Sequence, residues 1–180
     1  MAHASEALDD HARDAELKNA KAILTEYIGY IKGEALIAHM DQNPWKVKVD
    51  LKVLDFIGHD SSRGRKAMIA AGDQNRAFNF GEILYFNQGT ENTGWLNEAM
   101  VASAAASIPG LNVPKLLADR NSSAVAKAAS AFDAEAVKAK VQSTPTILVG
   151  RGTATPTVVS LQSPTDKATL VAALDTALAG

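Results

Sequence analysis

Hydrophobic and charged residues alternate from Lys46 to Val53, so that every second side chain is apolar. A period of two is typical of a strand with one buried face. The apolar run at residues 22–28 also suits a buried strand, although it fits a helix equally well. Two β-branched segments, Thr146–Gly150 and Thr157–Leu161, are separated by a moderate loop and predict a hairpin.

The middle of the chain has helical periodicity instead. Turn and capping residues divide it into five predicted helices with short connections. A sixth helix follows the hairpin, with Ser163 as its N-cap and Pro164 at its first position. The first of the five is capped by Ser61 or Ser62 and runs to about Asn75. The other four are Ala77–Asn87, Trp95–Ser107, Pro114–Asp119 and Ser122–Lys140.

This order of elements predicts an α/β protein whose core is interrupted by a helical insertion. Residues 1–19 form a polar lead-in, residues 20–59 and 141–180 the core, and residues 60–140 the insertion. Aromatic residues in the insertion are expected to be core residues, with an apolar groove as the alternative: Phe80, Tyr85, Phe86 and Trp95.

The composition narrows the function classes. Of 180 residues, 47% are hydrophobic and 21% charged, with a net charge of -2, which fits a globular protein and gives no reason to expect a nucleic-acid partner. No apolar run reaches the roughly 20 residues of a membrane span. The N-terminus resembles no signal peptide, so we expect a cytoplasmic protein as given, or an exported one if a leader was removed.

The chain contains no cysteine. Disulfides, thiolate nucleophiles and cysteine-ligated metals are therefore excluded. The four histidines, His3, His11, His39 and His59, share no metal-ligand spacing, and we expect no metal site.

Four segments carry a resemblance to a known family: Phe56–Ser61, Ala70–Arg76, Leu84–Leu96 and the Ser143–Thr146 loop. Together they resemble the bacterial DsbA-type thiol–disulfide oxidoreductases, over roughly residues 20–178. The resemblance implies a thioredoxin-like fold with an inserted helical domain (DsbA-like). It also implies that Thr144-Pro145 is the family's cis-proline loop, which would contact a ligand or serve only as a retained element of the fold.

The family's chemistry does not follow, because its Cys-x-x-Cys motif is missing. If residues 24–27 are matched to the strand that precedes the motif in the family, Lys32-Gly33-Glu34-Ala35 falls at the motif. An ungapped match to the later strand instead places Ile23 and Glu26 at the two cysteine positions. Neither match supplies the thiolate that disulfide exchange needs. The chain is thus expected not to catalyse thiol–disulfide exchange directly.

The remaining site candidates lie in residues 26–34. Lys32 would act as nucleophile or base and Glu34 as proton carrier, with an ordinary polar turn as the alternative. Glu26 would pair with a lysine such as Lys52 or bind a ligand. A glutathione-dependent enzyme would need a serine or tyrosine near the position of the missing cysteines, and Tyr30 and Tyr27 are the candidates for it.

Two hypotheses follow for function. The first is a binding protein without cofactor, in which Thr144 and Pro145 hold a peptide, a protein partner or a small molecule by strand addition. The second is a non-redox enzyme of the thioredoxin superfamily: a transferase or isomerase that uses glutathione, or a specialised enzyme whose pocket was rebuilt where the segment from Lys32 to Lys46 is short.

Overall fold

A computed structural model of the chain describes residues 48–163 and 166–179. These residues form six α-helices and two short strands. In chain order the elements are α1 (Gly58–Gly72), α2 (Ala77–Phe86), α3 (Glu98–Ala106), α4 (Val113–Asp119), α5 (Ser123–Lys138), β1 (Leu148–Val149), β2 (Thr157–Val158) and α6 (Lys167–Ala179).

The chain divides into two compact units. Asp50–Lys140 forms the helical unit, which contains α1 to α5, and Val141–Gly180 belongs to the other unit with the hairpin and α6. The helical unit begins before residue 60, where the sequence places the start of the insertion.

The core of the helical unit forms where α1 and α2 pack closely. A Cβ atom added at Gly64 would lie 2.8 Å from Leu96 Cδ2, and one added at Gly81 would lie 2.7 Å from Met68 Cε. The two glycines therefore let neighbouring side chains approach the helix backbones. The largest fully buried side chains of this unit, each at most 1% exposed, are Phe80, Val101, Leu116 and Val125.

Side chains cap the later helices of this unit as the capping preferences predict. Asn97, Asn112 and Ser122 accept hydrogen bonds from backbone N–H groups three residues further along the chain, at the starts of α3, α4 and α5. The predicted bounds of these helices differ from the observed ones by at most two residues, apart from the start of α3, which is at Glu98 rather than Trp95.

The start of α1 is a correction. The helix begins at Gly58, before Ser61 and Ser62, and its N-cap residue Ile57 makes no capping hydrogen bond through its side chain. Ser62 instead donates a hydrogen bond to Asp55. A residue far along the sequence stabilises the start of the helix instead, since the His59 N–H donates a hydrogen bond to the side chain of Asn92.

The predicted strand from Lys46 to Val53 is wrong for its described part. Residues 48–56 have no regular secondary structure, and Leu51 is 39% exposed. Val49 packs against the core beside α6, whereas Val53 packs against the helical core. The alternation thus reflects contacts with two different cores, and not one buried face of a strand.

The second unit contains an antiparallel hairpin that is shorter than predicted. Leu148 pairs with Val158 and Val149 with Thr157, and the Val159 N–H donates to the Ile147 carbonyl. Leu170 and Leu174 of α6 are buried against this region of the chain. The hairpin is therefore supported on one side by α6.

The beginning of α6 is a further correction. The helix starts at Lys167, and Asp166 accepts a hydrogen bond from the Thr169 N–H as an N-cap does. Ser163, the predicted cap, contributes its carbonyl oxygen to the Asp166 N–H. Pro164 lies outside the described residues.

Replacing Gly150 with alanine should open the hairpin. The new Cβ would lie 2.8 Å from Pro156 Cα and 2.9 Å from its Cβ, too close to a rigid ring and backbone to be relieved by a rotamer change. We expect a loss of about 1–3 kcal/mol in the stability of this unit, measured by hydrogen exchange of the hairpin amides. Gly72→Ala, whose Cβ would make an ordinary 3.6 Å contact, is the control; equal exchange in the two variants would contradict the clash.

The thioredoxin-like fold stays a prediction. Its remaining predicted strands fall mainly in residues 20–47, outside the described part, and the described two-stranded sheet is compatible with more than one fold class.

Candidate functional site

The loop before β1 is the first candidate site. The Thr144–Pro145 peptide bond is cis, as the resemblance implies, and Ser143, Thr144 and Pro145 are all exposed. Thr146 donates a hydrogen bond from its hydroxyl to the Ser143 carbonyl and so fixes the turn. Within the described part of the chain, the N–H and C=O groups of Thr144 form no hydrogen bond.

The other predicted site residues, Glu26, Tyr27, Tyr30, Lys32 and Glu34, all precede residue 48 and lie outside the described residues.

Lys52, the predicted partner of Glu26, contacts the helical unit. Its Nζ lies 3.3 Å from Glu135 Oε2 and 5.0 Å from the ring centroid of Phe132. Both partners belong to α5, so Lys52 ties the irregular entry segment to that helix.

The four aromatic residues of the helical unit separate into two groups. Phe80 is fully buried and Trp95 is half-buried against the core, which confirms them as core residues. Tyr85 and Phe86 are 49% and 80% exposed, so the expectation that they belong to the core is wrong. Both belong to the last turn of α2, where they follow the buried Leu84.

A second candidate site, which the sequence did not indicate, is a polar pocket in the helical unit. We call it the basic pocket. Its volume is about 220 Å³, and it is lined by His59, Ser62, Arg63, Lys66, Glu98, Arg120 and Asn121. These residues come from the first half of α1, the first residue of α3 and the end of α4. Several of the lining side chains are exposed, and the pocket is open to solvent.

Glu98 joins the two arginines of the basic pocket. Arg63 Nε lies 3.3 Å from one carboxylate oxygen of Glu98, and Arg120 donates a hydrogen bond to the other. The hydrogen bond from Arg120, together with the charges of Arg120 and Arg63, holds the pKa of Glu98 below its usual value. The side chain of Glu98 is 65% exposed, and its carboxylate is ionised at neutral pH, as that of an ordinary exposed glutamate is.

Arg63 has partners besides Glu98. Its Nη1 donates to the Leu96 carbonyl at 2.6 Å and lies 3.7 Å from Asp60 Oδ1. Asp60 is buried, and its other oxygen accepts from the Gly94 N–H. The position of Arg63 is thus fixed by the chain segment between α2 and α3.

The other basic side chains of the pocket have fewer hydrogen-bond and ion-pair partners. The side chains of Lys66 and His59 form no ion pair or hydrogen bond with a described residue, and both are exposed. Arg120 is only 11% exposed, and among the described residues its side chain is bonded to Glu98 alone, with its Nε buried without an acceptor. Arg120 is therefore a largely buried cation whose one ion-pair partner among the described residues is Glu98.

No sequence signal identified this pocket, because its residues are spread over more than sixty positions and belong to no motif. Among the described residues, no group of three histidine, aspartate or glutamate side chains is arranged to bind a metal ion. No helix in residues 48–163 and 166–179 has the length and apolar content needed to cross a membrane.

Comparison of the chain with known protein families, curated proteins and solved structures gives no match.

Proposed function

We propose that this chain is a non-redox binding protein with a DsbA-like thioredoxin fold, and that it holds an extended peptide or partner segment at the Thr144–Pro145 loop. The observation that supports this proposal best is the exposed peptide unit at Thr144, which lies four residues before β1 and has no hydrogen-bond partner among the described residues. Peptides that bind by strand addition use such free backbone groups.

Two further features make the loop suitable for binding. The Thr146–Ser143 hydrogen bond holds its backbone in one conformation, and the adjoining strand is supported by the buried leucines of α6. A preformed backbone loses little conformational entropy when a ligand pairs with it. The absence of cysteine removes disulfide exchange, which leaves binding as the simplest activity for this loop.

A thermal-shift screen followed by amide hydrogen exchange tests the proposal. The screen contains short extended peptides, glutathione and metabolite mixtures, and we expect at least one peptide to raise the melting temperature. With that peptide bound, the Thr144 amide should exchange more slowly, whereas the amides of the Arg151–Pro156 turn should be unchanged. Thr144→Val keeps the N–H and removes only the hydroxyl, so it should bind equally well.

Two results would count against this function. Peptide binding that leaves the Thr144 amide unprotected would remove the loop from the site. Stabilisation by glutathione alone, abolished by Tyr30→Phe, would support the enzyme hypothesis instead.

A further inference from the structure

We propose that the basic pocket binds the phosphate group of a small molecule, an activity separate from that of the Thr144 loop. Three permanent cations, Arg63, Lys66 and Arg120, line the pocket against the single carboxylate of Glu98. Counting Asp60 behind Arg63, the described residues of the site retain an excess of one positive charge without any contribution from His59.

An excess cation in a partly buried site attracts an anion more strongly than one on an open surface, because water screens it less. The side chain of Arg120 is only 11% exposed. Its one hydrogen-bond acceptor among the described residues is the carboxylate of Glu98, which is itself exposed. An incoming anion could accept hydrogen bonds from both arginines in place of Glu98, or share them with it.

The arrangement of donors favours a phosphate over a carboxylate. Glu98 engages Arg63 with one oxygen and Arg120 with the other, which uses both oxygens of a planar carboxylate. Lys66 and the amide of Asn121 line the same pocket. A tetrahedral phosphate has further oxygens that can accept from these groups while two oxygens contact the arginines.

The size of the pocket limits the rest of the ligand. A volume of about 220 Å³ lies below the range of roughly 300–1,000 Å³ typical of pockets for drug-sized molecules. It accommodates a phosphate with a small organic group. We therefore infer that the ligand is a compact phosphate monoester, which can lie wholly within the pocket.

In this arrangement Glu98 is a built-in competitor. Its carboxylate lies between the two arginines, where the phosphate would bind, and because the side chain is exposed it can move aside into water. Removing its charge should therefore strengthen phosphate binding, while removing a cation should weaken it. Opposite effects of two substitutions in one pocket distinguish a site from general surface charge.

Isothermal titration calorimetry of the full chain with inorganic phosphate and with glycerol 3-phosphate, at constant ionic strength, measures these effects. Both probes should bind saturably, and succinate, a dicarboxylate, should bind more weakly. Arg120→Gln should weaken binding at least about tenfold, since it removes charge-assisted hydrogen bonds. Glu98→Gln, which retains an acceptor for the arginines, should tighten binding by about threefold or more.

Matched substitutions of equal charge change serve as controls. Lys127→Gln on the exposed side of α5 should bind as the unchanged protein does, and so should Asp73→Asn at the other end of α1 from the pocket. Circular dichroism checks folding; if Arg120→Gln does not fold, the exposed Lys66→Gln replaces it, with an expected weakening of about threefold.

The proposal is overturned if neither probe binds, if Arg120→Gln or Lys66→Gln behaves as Lys127→Gln does, or if Glu98→Gln binds no more tightly than Asp73→Asn. A phosphoserine peptide that binds more tightly than glycerol 3-phosphate would overturn the assignment to a small molecule.

Discussion

Replacing Phe80 with alanine should lower the free energy of unfolding of the helical unit by about 4 kcal/mol. Phe80 is fully buried and is the largest of the fully buried side chains. Its α2 helix packs so closely on α1 that Gly81 faces the Met68 methyl group, which leaves little room for the helices to collapse into the cavity. The full cost of the cavity should therefore be observed, by urea denaturation followed by circular dichroism.

Phe86→Ala provides the matched control. Phe86 belongs to the same helix but is 80% exposed, so its truncation should change stability by less than about 0.5 kcal/mol. Equal effects of the two substitutions would mean that Phe80 does not anchor the core.

Replacing Arg65 with methionine should destabilise the same unit by about 3 kcal/mol. Arg65 is 5% exposed; its guanidinium contacts Asp55 at 2.5 Å and Asp133 at 2.7 Å, and it donates to the Ala129 carbonyl. It thereby joins α1, α5 and the entry segment in one network. Methionine fills a similar volume but leaves the Ala129 carbonyl and both carboxylates without this donor.

The size of the effect depends on which group is left behind. Asp133 is 55% exposed and can be hydrated, so Asp133→Asn should cost less than about 1 kcal/mol. Arg65→Lys should recover little, because an ammonium group does not reproduce the planar fork that reaches three acceptors. The exposed neighbour Lys66→Met is the control for the substitution itself. Wild-type stability in Arg65→Met would indicate that the ion pairs only offset the cost of burying the arginine.

The helices could be predicted where their signals are local. Ser122 caps α5 through its own side chain, and Asn121-Ser122 before an apolar-periodic segment is sufficient to place that start within one residue. The same holds for α2, whose predicted and observed ranges differ by one residue at the end.

The start of α1 could not be predicted, because distant residues determine it. Gly58 has a positive φ of 57°, and Asn92 and Gly94 bond to the first turn from more than thirty positions away. Local capping preferences favoured Ser61 and Ser62 instead. A cap supplied by a loop so remote in sequence leaves no pattern in the helix itself.

The candidate sites differ in the same way. The Thr144-Pro145 loop is contiguous and could be identified by resemblance, and its peptide bond is indeed cis. The basic pocket is assembled from α1, α3 and α4, and each of its residues taken singly is an ordinary charged residue on a helix. Only the packing of the helices brings these charges within contact distance.

The two separate groups of buried side chains affect how any denaturation experiment must be interpreted. One group surrounds Phe80 and contains only residues of the helical unit, while the other contains Leu170 and Leu174. A single midpoint describes a chain only when one cooperative transition unfolds all of it. In a Trp45→Phe variant, the fluorescence of Trp95 reports the helical unit, whereas calorimetry sums every transition of the chain. Where the two units unfold in separate transitions, a melting temperature belongs to one unit, and its value depends on the probe that records it.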